Sequence, residues 1–146
     1  MKIRPKIKIK KLDRRAFLPA KGTPDSAAYD LYATEFVDIY PGETVSVGTG
    51  LSMEIPKGWR GDIFSRSGLA KRGLVVANSP GKIDSDYRGE VRVLLHNNRL
   101  GETIRIEIGH RIAQFEISPV YDIKFEETQE LSMSARGSHG FGSTGE

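Results

Sequence analysis

The chain has 146 residues, a length typical of one domain, and it contains no cysteine. The absence of thiols excludes a disulfide framework, a thiolate metal site and a cysteine nucleophile, and it suits the reducing cytoplasm, where we expect the protein to act. The formal net charge of +3 is unevenly distributed, because residues 1–15 carry eight basic side chains against one acidic side chain. The remainder of the chain is mildly acidic.

The basic N-terminal segment has neither the long apolar run nor the small-residue cleavage site of a secretory signal. Ile3, Ile7 and Ile9 lie among lysines with a period of two, which predicts a strand with one buried face. Non-specific nucleic-acid binding combines cations with stacking aromatic rings, and the first aromatic residue of this chain is Phe17. We therefore expect no nucleic-acid partner and, since no segment reads as membrane-spanning, no membrane partner.

Alternating apolar and polar residues predict half-buried antiparallel strands in residues 43–47, 51–55, 90–95 and 103–108. Turn signals containing Pro or Gly separate these segments at short intervals. One short helix is predicted around residues 67–72, because Gly73 is a typical residue just after a helix end. The sequence therefore predicts an all-β domain, a jelly-roll type sandwich or barrel with one short helix.

The last 15 residues differ from the rest, since nine of them are Gly, Ser or Thr. This composition predicts a flexible C-terminal arm, residues 132–146, after a β domain of residues 1–131. Residues 140–145 match the spacing G-x-G-x-x-G, but a dinucleotide-binding fold needs a helix after that motif and only Glu146 follows. The guanidinium of Arg136, the ring of Phe141 and nearby hydroxyls would instead suit a triphosphate and a base.

Three other segments carry chemistry, each with an ordinary structural alternative. The run Ser65-Arg66-Ser67-Gly68 would meet an anion at a helix N-terminus, or supply an N-cap serine. Asp84 and Asp86 would share one face if extended, or serve a turn. Asp30 lies in an apolar run, where a buried carboxylate needs a partner such as an arginine.

Two common classes of hydrolytic site are not expected. His96, His110 and His139 lack an i, i+4 partner and any cysteine, so they do not indicate a zinc site. No Gly-x-Ser-x-Gly elbow occurs, which disfavours a Ser-His-Asp hydrolase.

The order of short motifs along the chain is more specific than any one of them. They are residues 28–31 (AYDL), 66–70 (RSGLA), 81–90 (GKIDSDYRGE), 109–114 (GHRIAQ) and 136–145 (RGSHGFGSTG). In sequence, order and spacing they resemble the five motifs of the trimeric dUTP pyrophosphatases, and the resemblance covers nearly the whole chain.

The resemblance implies a jelly-roll homotrimer that hydrolyses dUTP to dUMP and pyrophosphate with Mg²⁺, which keeps uracil out of DNA and supplies dUMP for thymidylate synthesis. Three chains would contribute to each site. By motif match, Asp84 would position and deprotonate the attacking water, and Asp30 would be an outer-shell partner of the metal, through water. The implied substrate-binding residues are Arg66, Ser67, Gly68, Asn78, Gly81, Ile83, Tyr87, Gln114, Arg136, Phe141, Gly142, Ser143 and Thr144.

Within that set, the resemblance implies a division of labour. Asn78 and the hairpin through Gly81 and Ile83 would bind the uracil edge, and Tyr87 would pack on the deoxyribose. Arg66, Ser67, Gly68 and Gln114 would hold phosphates from a neighbouring chain. The arm would close with Phe141 over the uracil and with Arg136, Ser143 and Thr144 on the γ-phosphate.

Four residues depart from the usual family pattern, namely Phe64, Ser65, Lys82 and His139, but none removes a group with a named chemical role. The related dCTP deaminases resemble this chain too, but their catalytic glutamate would align with Leu94, which has no acid or base. A non-catalytic nucleotide-binding or regulatory protein on the same scaffold is the other alternative, and retention of Asp84 and Tyr87 argues against it.

Overall fold

The computed structural model describes residues 4–145. Within that range the chain forms ten strands and one short helix. In chain order they are β1 (Lys8–Lys11), β2 (Tyr29–Tyr32), β3 (Val37–Ile39), β4 (Thr44–Glu54), β5 (Trp59–Phe64), α1 (Ser67–Lys71), β6 (Leu74–Val76), β7 (Gly81–Ile83), β8 (Glu90–Asn97), β9 (Ile104–Ile106) and β10 (Arg111–Pro119).

The strands form three antiparallel sheets. One sheet has the order β1-β4-β8-β6, the second has the order β2-β10-β5-β7, and β3 pairs with β9 in a two-stranded sheet. Apolar side chains from all three sheets form one core cluster. The predicted all-β, jelly-roll type class is confirmed.

Strand β8 shows how the sequence pattern produces this packing. Val91, Val93 and Leu95 are buried, whereas Arg92 and Leu94 between them face outward. Since side chains alternate across a strand, this period of two places one apolar face on the core.

Two of the predicted strands are parts of one longer element. The patterns of residues 43–47 and 51–55 are separated in the sequence by Gly48, Thr49 and Gly50, but β4 runs through all three. The register against β8 shifts between Gly48 and Ser52, an irregularity of the kind that a β-bulge produces. The strand predicted over residues 103–108 is shorter than expected, because β9 ends at Ile106.

The N-terminal strand is confirmed over Lys8–Lys11, where it pairs with the end of β4. Ile7 and Ile9 are half-buried against the core, and Lys8 donates to the Glu54 carboxylate at 3.1 Å on the exposed face. Ile3 lies outside the described residues.

The short helix is confirmed, with Arg72 at its C-cap and Gly73 at a φ of +86° just beyond. An N-cap serine is wrong, since the N-cap is Arg66 and makes no side-chain capping bond. The hydroxyl of Ser65 instead accepts the backbone N–H of Val76 at 2.8 Å, so it ties β6 to the end of β5.

From residue 120 to residue 145 the described chain forms neither strand nor helix, and almost every residue there is exposed. No helix within residues 4–145 has the length and apolar character needed to cross a membrane.

Candidate active site

The first group of predicted site residues is built around a buried carboxylate on β2. Arg66, at the start of α1, donates from Nε to Oδ1 of Asp30 at 2.9 Å, and the Asp30 side chain is only 8% exposed. The other oxygen, Oδ2, lies 3.8 Å from a guanidinium nitrogen of Arg111. The structure thus shows the Asp–Arg pair considered from the sequence. The outer-shell metal role of Asp30 stays a prediction.

Gln114 joins this group through strand register. It lies on β10 opposite Asp30 of β2 on one side and Phe64 of β5 on the other. The chain leaves β5 at Phe64 and enters α1 two residues after Ser65, so Ser67 and Gly68 follow close by in the sequence. Both are exposed, and nothing lies within 4 Å of the place where a β-carbon on Gly68 would stand.

The first turn of α1 also offers free donors. Intrahelical bonding begins with the N–H groups of Leu69 and Ala70, which both donate to the Arg66 carbonyl. The N–H groups of Ser67 and Gly68 precede that first bond, as the orphan donors of any helix do. Together with the guanidinium of Arg66 and the amide of Gln114, they give this end of the sheet groups that suit phosphate oxygens. We call this set, Arg66, Ser67, Gly68 and Gln114, the phosphate half-site.

The predicted uracil-binding segment is strand β7 with the loop before it. The Asn78 amide lies against the backbone of Gly81, where an added β-carbon would come 3.2 Å from Nδ2. The Ser79 hydroxyl accepts the backbone N–H of Ser65 at 3.3 Å, which fastens this loop to the end of β5. Strand β7 is the last strand of its sheet, so only one of its edges is paired. Its open edge presents N–H and C=O groups that can read a base.

Asp84 follows β7 directly, and its side chain is exposed. Within residues 4–145 its carboxylate accepts no hydrogen bond from the protein and joins no ion pair. Its carbonyl accepts the N–H of Tyr87 at 3.2 Å, and the chain turns at Ser85 and Asp86. The expectation that Asp84 and Asp86 share a face of an extended strand is therefore wrong, because a turn separates them.

Tyr87 stands on the far side of this turn, with its ring 43% exposed and its hydroxyl donating to the Glu90 carbonyl at 2.9 Å. That bond fixes the direction of the ring at the start of β8. Ile83, Asp84 and Tyr87 line one small pocket. Together with Asn78 and Gly81, which precede them on the same segment, we call them the base half-site.

A charged pair beneath β7 was missed by the sequence reasoning. Asp62 on β5 has a side chain only 3% exposed, and Lys82 of β7 and Arg60 donate to its Oδ1 at 2.5 and 3.2 Å. Burial by itself raises the pKa of Asp62, but the hydrogen bonds from Lys82 and Arg60 outweigh it and hold the pKa below its usual value. The signal that the sequence offered for this pair was Asp62 itself, a lone acidic residue in a segment otherwise suited to burial.

The arm residues are not brought to either half-site. Arg136 donates from Nε to the His139 carbonyl at 2.7 Å, and the other hydrogen bonds of residues 132–145 also stay within the arm. Phe141 is fully exposed at a φ of +50°. Gly142, Ser143 and Thr144 are exposed beside it.

The register of β5 against β7 separates Asp84 from the phosphate half-site. Ile63 pairs with Gly81 and Gly61 pairs with Ile83, so Asp84 lies beside the start of β5, whereas Arg66 lies beyond its end. The four residue steps from Arg60 to the end of β5 at Phe64 already span about 13 Å at the rise of a strand, and Arg66 lies two residues further on. That is longer than the reach of one arginine side chain, so one chain alone does not bring Arg66 to a phosphate held at Asp84.

A divalent cation would find few protein ligands here. Among residues 4–145 no three acidic or histidine side chains are grouped to hold a metal. Mg²⁺ usually keeps several waters and binds one or two carboxylates together with substrate phosphates. The few carboxylates present therefore fit a Mg²⁺ ion that arrives with a triphosphate and keeps its waters, which a group such as Asp30 would contact through water.

Comparison with known proteins identifies similar chains. A family model described as dUTPase matches residues 14–145. The deoxyuridine 5'-triphosphate nucleotidohydrolase of Nautilia profundicola is 50% identical over 141 residues, covering 96% of this chain and 99% of that protein. That of Clostridium acetobutylicum is 46% identical over 140 residues, covering 95% of this chain and 96% of its own length.

Solved structures give the same result. The Staphylococcus bacteriophage 80alpha dUTPase with dUpNHpp superimposes with a TM-score of 0.86 at 30% identity, covering 96% of this chain and 98% of that chain. A mutant dUTPase from phage phi11 of S. aureus, described with a structural Mg(II) ion, has a TM-score of 0.79 at 25% identity and covers 88% of this chain and 99% of its own.

Proposed function

This chain belongs to the dUTPase family and hydrolyses dUTP to dUMP and pyrophosphate, and we propose that it does so by directing water onto the α-phosphate with Asp84. The carboxylate is exposed and unpaired among the described residues, directly after the strand proposed to hold the base. A nucleotide whose uracil lay along β7 would place its phosphates near that carboxylate. Tyr87, on the far side of the turn after Asp84, would then face the sugar between the uracil and the phosphates.

The role of Asp84 is limited by the chemistry of water. An ordinary aspartate has a pKa of about 3.9 and water one of about 15.7, a gap of roughly 12 units or about 16 kcal/mol. Free hydroxide is therefore not formed first. Phosphoryl transfer usually proceeds through a loose transition state that needs little early activation of the nucleophile. We assign Asp84 to orient the water and accept its proton late.

The observation that carries the proposal is the separation of Asp84 from Arg66 by the length of β5. A single chain has Asp84 beside the start of β5 and Arg66, Ser67, Gly68 and Gln114 at its end, with β7 running between them. A complete site needs the base half-site of one chain and the phosphate half-site of another. We propose a homotrimer in which each site is shared between chains.

Charge on the phosphates is proposed to be stabilised by Arg66 and by Arg136 of the arm. Bidentate guanidinium groups suit phosphate oxygens in shape as well as charge. Mg²⁺, when bound, would neutralise phosphate charge, and Asp30, through water, is the carboxylate proposed to face it. The pairing of Asp30 with Arg66 then couples the buried carboxylate to the phosphate-binding guanidinium.

Base selection is proposed to reside in the backbone of β7. An apolar pocket separates substrates that differ by one methyl group by only about 1–3 kcal/mol, so a rigid wall that clashes with the thymine methyl is needed. Cytosine is rejected because fixed amide donors and acceptors would be left unpaired. Asn78, whose amide lies on Gly81, completes this edge.

The arm, residues 132–146, is proposed to close over the bound nucleotide from a β domain of residues 1–131. Phe141 would stack on the uracil, and Arg136, Gly142, Ser143 and Thr144 would surround the γ-phosphate. Because dUTP belongs to the cell's nucleotide pool, we place the enzyme in the cytoplasm.

Release of pyrophosphate in Mg²⁺ from dUTP, dTTP, UTP and dCTP, measured separately, tests this proposal. We expect dUTP alone to be turned over efficiently. A deaminase would convert dCTP without releasing pyrophosphate, and a binding protein would release none from any nucleotide. Either outcome would contradict the proposed function.

The Asp84→Asn variant tests the assigned base. Its turnover should fall by about 10²- to 10⁴-fold, the usual contribution of a positioned acid–base group. Asp122→Asn is the matched control, since Asp122 lies in the same cleft as Asp84 but has no assigned role. Retention of more than about a tenth of the wild-type turnover in Asp84→Asn would overturn the role of Asp84.

A further inference from the structure

Strand β7 is weakly held, although residues proposed to bind the base lie on it and Asp84 follows it directly. It has three residues, Gly81–Ile83, and it lies at the edge of its sheet with β5 as its one neighbour. Three pairs, Ile63 with Gly81, Asp62 with Lys82 and Gly61 with Ile83, make up its ladder. Edge strands of this length gain little stability from backbone pairing, so side-chain contacts with β5 decide how firmly β7 is held.

The central pair of this ladder is ionic. Lys82 donates from Nζ to Oδ1 of Asp62 at 2.5 Å, directly across the two strands. Asp62 is buried, whereas the Lys82 side chain is 50% exposed, so the lysine folds inward over the sheet to reach the carboxylate. Nε of Arg60 donates to the same oxygen at 3.2 Å, and the Arg60 guanidinium also donates to the Pro119 carbonyl at 2.8 Å. The Lys82–Asp62 pair, which we call the anchor of β7, is therefore fixed to β10 as well as to β5.

The carboxylate of this pair is buried, so it depends on its partners more than an exposed carboxylate would. A carboxylate removed from water is costly unless it is paired, and a desolvated pair is screened less by salt than one at the surface. The Asp62 carboxylate therefore holds the Lys82 ammonium in one place. Asp38 of β3 and Arg105 of β9 form a comparable pair, directly opposite each other and 2.8 Å apart. In that pair, however, both side chains remain in contact with solvent.

The two neighbours of Lys82 in β7 are the residues proposed to read the base. Successive side chains point to opposite faces of a strand, so Gly81 and Ile83 face away from the side that carries the Lys82–Asp62 pair. Anchoring Lys82 on one side fixes the peptide groups on either side of it. The catalytic Asp84 follows after one more residue.

We propose that Lys82 is a positioning residue, which through Asp62 holds β7 in the place that makes the enzyme select uracil over thymine. The inference rests on the proposed function of β7 as the uracil wall. In this role Lys82 contacts neither the substrate nor the attacking water. Its effect is to keep the wall rigid, so that the thymine methyl meets a clash that β7 cannot relieve by moving outward.

The test is the ratio of kcat/KM for dUTP to that for dTTP, measured on the purified full-length enzyme. A variant that merely lowers the folded fraction reduces both values equally, so the ratio responds to the position of the wall and not to stability. The key variant is Asp62→Asn with Lys82→Met, which removes the anchor without leaving a buried charge unpaired. Lys82→Met alone and the conservative Lys82→Arg complete the set.

Loss of the anchor in the double variant should lower the ratio of kcat/KM for dUTP to that for dTTP by at least about threefold, the scale of a favourable cross-strand pair. Lys82→Arg should retain the wild-type ratio, because it keeps a cation opposite Asp62. Arg105→Met, which breaks the exposed pair between β3 and β9, is the matched control and should also leave the ratio unchanged.

The role of Lys82 is overturned if the kcat/KM ratio falls by less than about threefold in the double variant. It is also overturned if the ratio falls as far in Arg105→Met as in the double variant. Wild-type kinetics are measured first and separate the two proposals. If the unmodified enzyme selects dUTP and the double variant selects it equally well, the positioning role fails while the proposed function stands. If the unmodified enzyme shows no preference for dUTP over dTTP, the uracil wall itself is wrong.

Discussion

The ring of Tyr87 lies directly against the backbone of Gly89, so closely that a β-carbon at position 89 would stand 2.5 Å from the tyrosine oxygen and 2.6 Å from Cζ. Real β-carbons do not approach other atoms at that distance, so only glycine allows this placement. The hydrogen bond from Tyr87 to the Glu90 carbonyl holds the ring from the same side. Tyr87, which would pack on the deoxyribose and leave no room for a 2′-hydroxyl, is thus positioned by the absence of a side chain two residues later.

Gly89→Ala should therefore displace Tyr87 and weaken the discrimination between deoxyribose and ribose. We expect the ratio of kcat/KM for dUTP to that for UTP to fall at least about tenfold, the lower end of what one small group controls in a binding site. Gly22→Ala is the control, because its β-carbon would meet only the Ser26 hydroxyl at an ordinary 3.7 Å. An unchanged ratio in Gly89→Ala would mean that Tyr87 does not set sugar selectivity.

The buried pair of Asp30 and Arg66 predicts an asymmetry between its two partners. Arg66→Met leaves the Asp30 carboxylate buried with only the more distant Arg111 nearby, and loss of one partner of a buried pair commonly costs about 3–5 kcal/mol. Asp30→Asn removes the buried charge and leaves a guanidinium that can move toward solvent.

Urea unfolding at equal protein concentration should therefore show that Arg66→Met is clearly less stable than Asp30→Asn. Both should lose activity, since each removes or releases the guanidinium of the phosphate half-site. Equal stability of the two variants would show that the Asp30 carboxylate is better solvated than its burial indicates.

Local patterns predicted the parts of this fold that depend on one strand at a time. The alternation of valines at 91 and 93 identified β8, and Gly73 identified the end of α1, because each signal lies within the element it describes or directly after it. Asp84 was noted in a short local segment, but its role and that of Tyr87 were implied by the family resemblance and stay predictions.

Contacts that depend on register were beyond such reasoning. Asp62 and Lys82 are 20 residues apart and meet only because β5 and β7 pair with Asp62 opposite Lys82. The register shift in β4 likewise follows from how that strand fits β8, and nothing in residues 48–50 alone requires it. The separation of Arg66 from Asp84 was implied only by family resemblance, whereas the register of β5 gives it a geometric cause.

The lowered pKa of Asp62 predicts how stability depends on pH. Since the pKa is lower in the folded than in the unfolded chain, the ionised carboxylate contributes stability above the ordinary aspartate pKa of about 3.9, and this contribution disappears as the pH falls through the folded value. Lys82→Met removes one of the hydrogen bonds that lower this pKa, so the pKa of Asp62 should rise in the variant.

The stability difference between the wild type and Lys82→Met should consequently be largest near pH 7 and should shrink in acid. Urea unfolding at several pH values measures it. Lys10→Met is the control, because Lys10 is exposed and forms no ion pair among the described residues, so its difference should not vary with pH. A Lys82→Met difference that is constant with pH would show that Asp62 does not titrate through this pair.

Deletion of residues 132–146 tests the division of the chain into a β domain and an arm. None of the arm's hydrogen bonds among residues 132–145 reaches the sheets, and no residue of that described part belongs to the buried core. Removing the arm should therefore leave the unfolding midpoint and the proposed trimer unchanged, as measured by urea titration and by light scattering. Turnover of dUTP should nevertheless be lost, since Arg136 and Phe141 leave with the arm.

Mixing the arm-deleted chain, which keeps both half-sites, with an Asp84→Asn chain makes this test sharper. If arms and half-sites from different chains form each site, mixed trimers refolded from the two inactive proteins should recover part of the activity, because some sites then combine an intact Asp84 with an intact arm. If no mixture of the two is active although light scattering shows that trimers form, the site is not shared between chains in the proposed way.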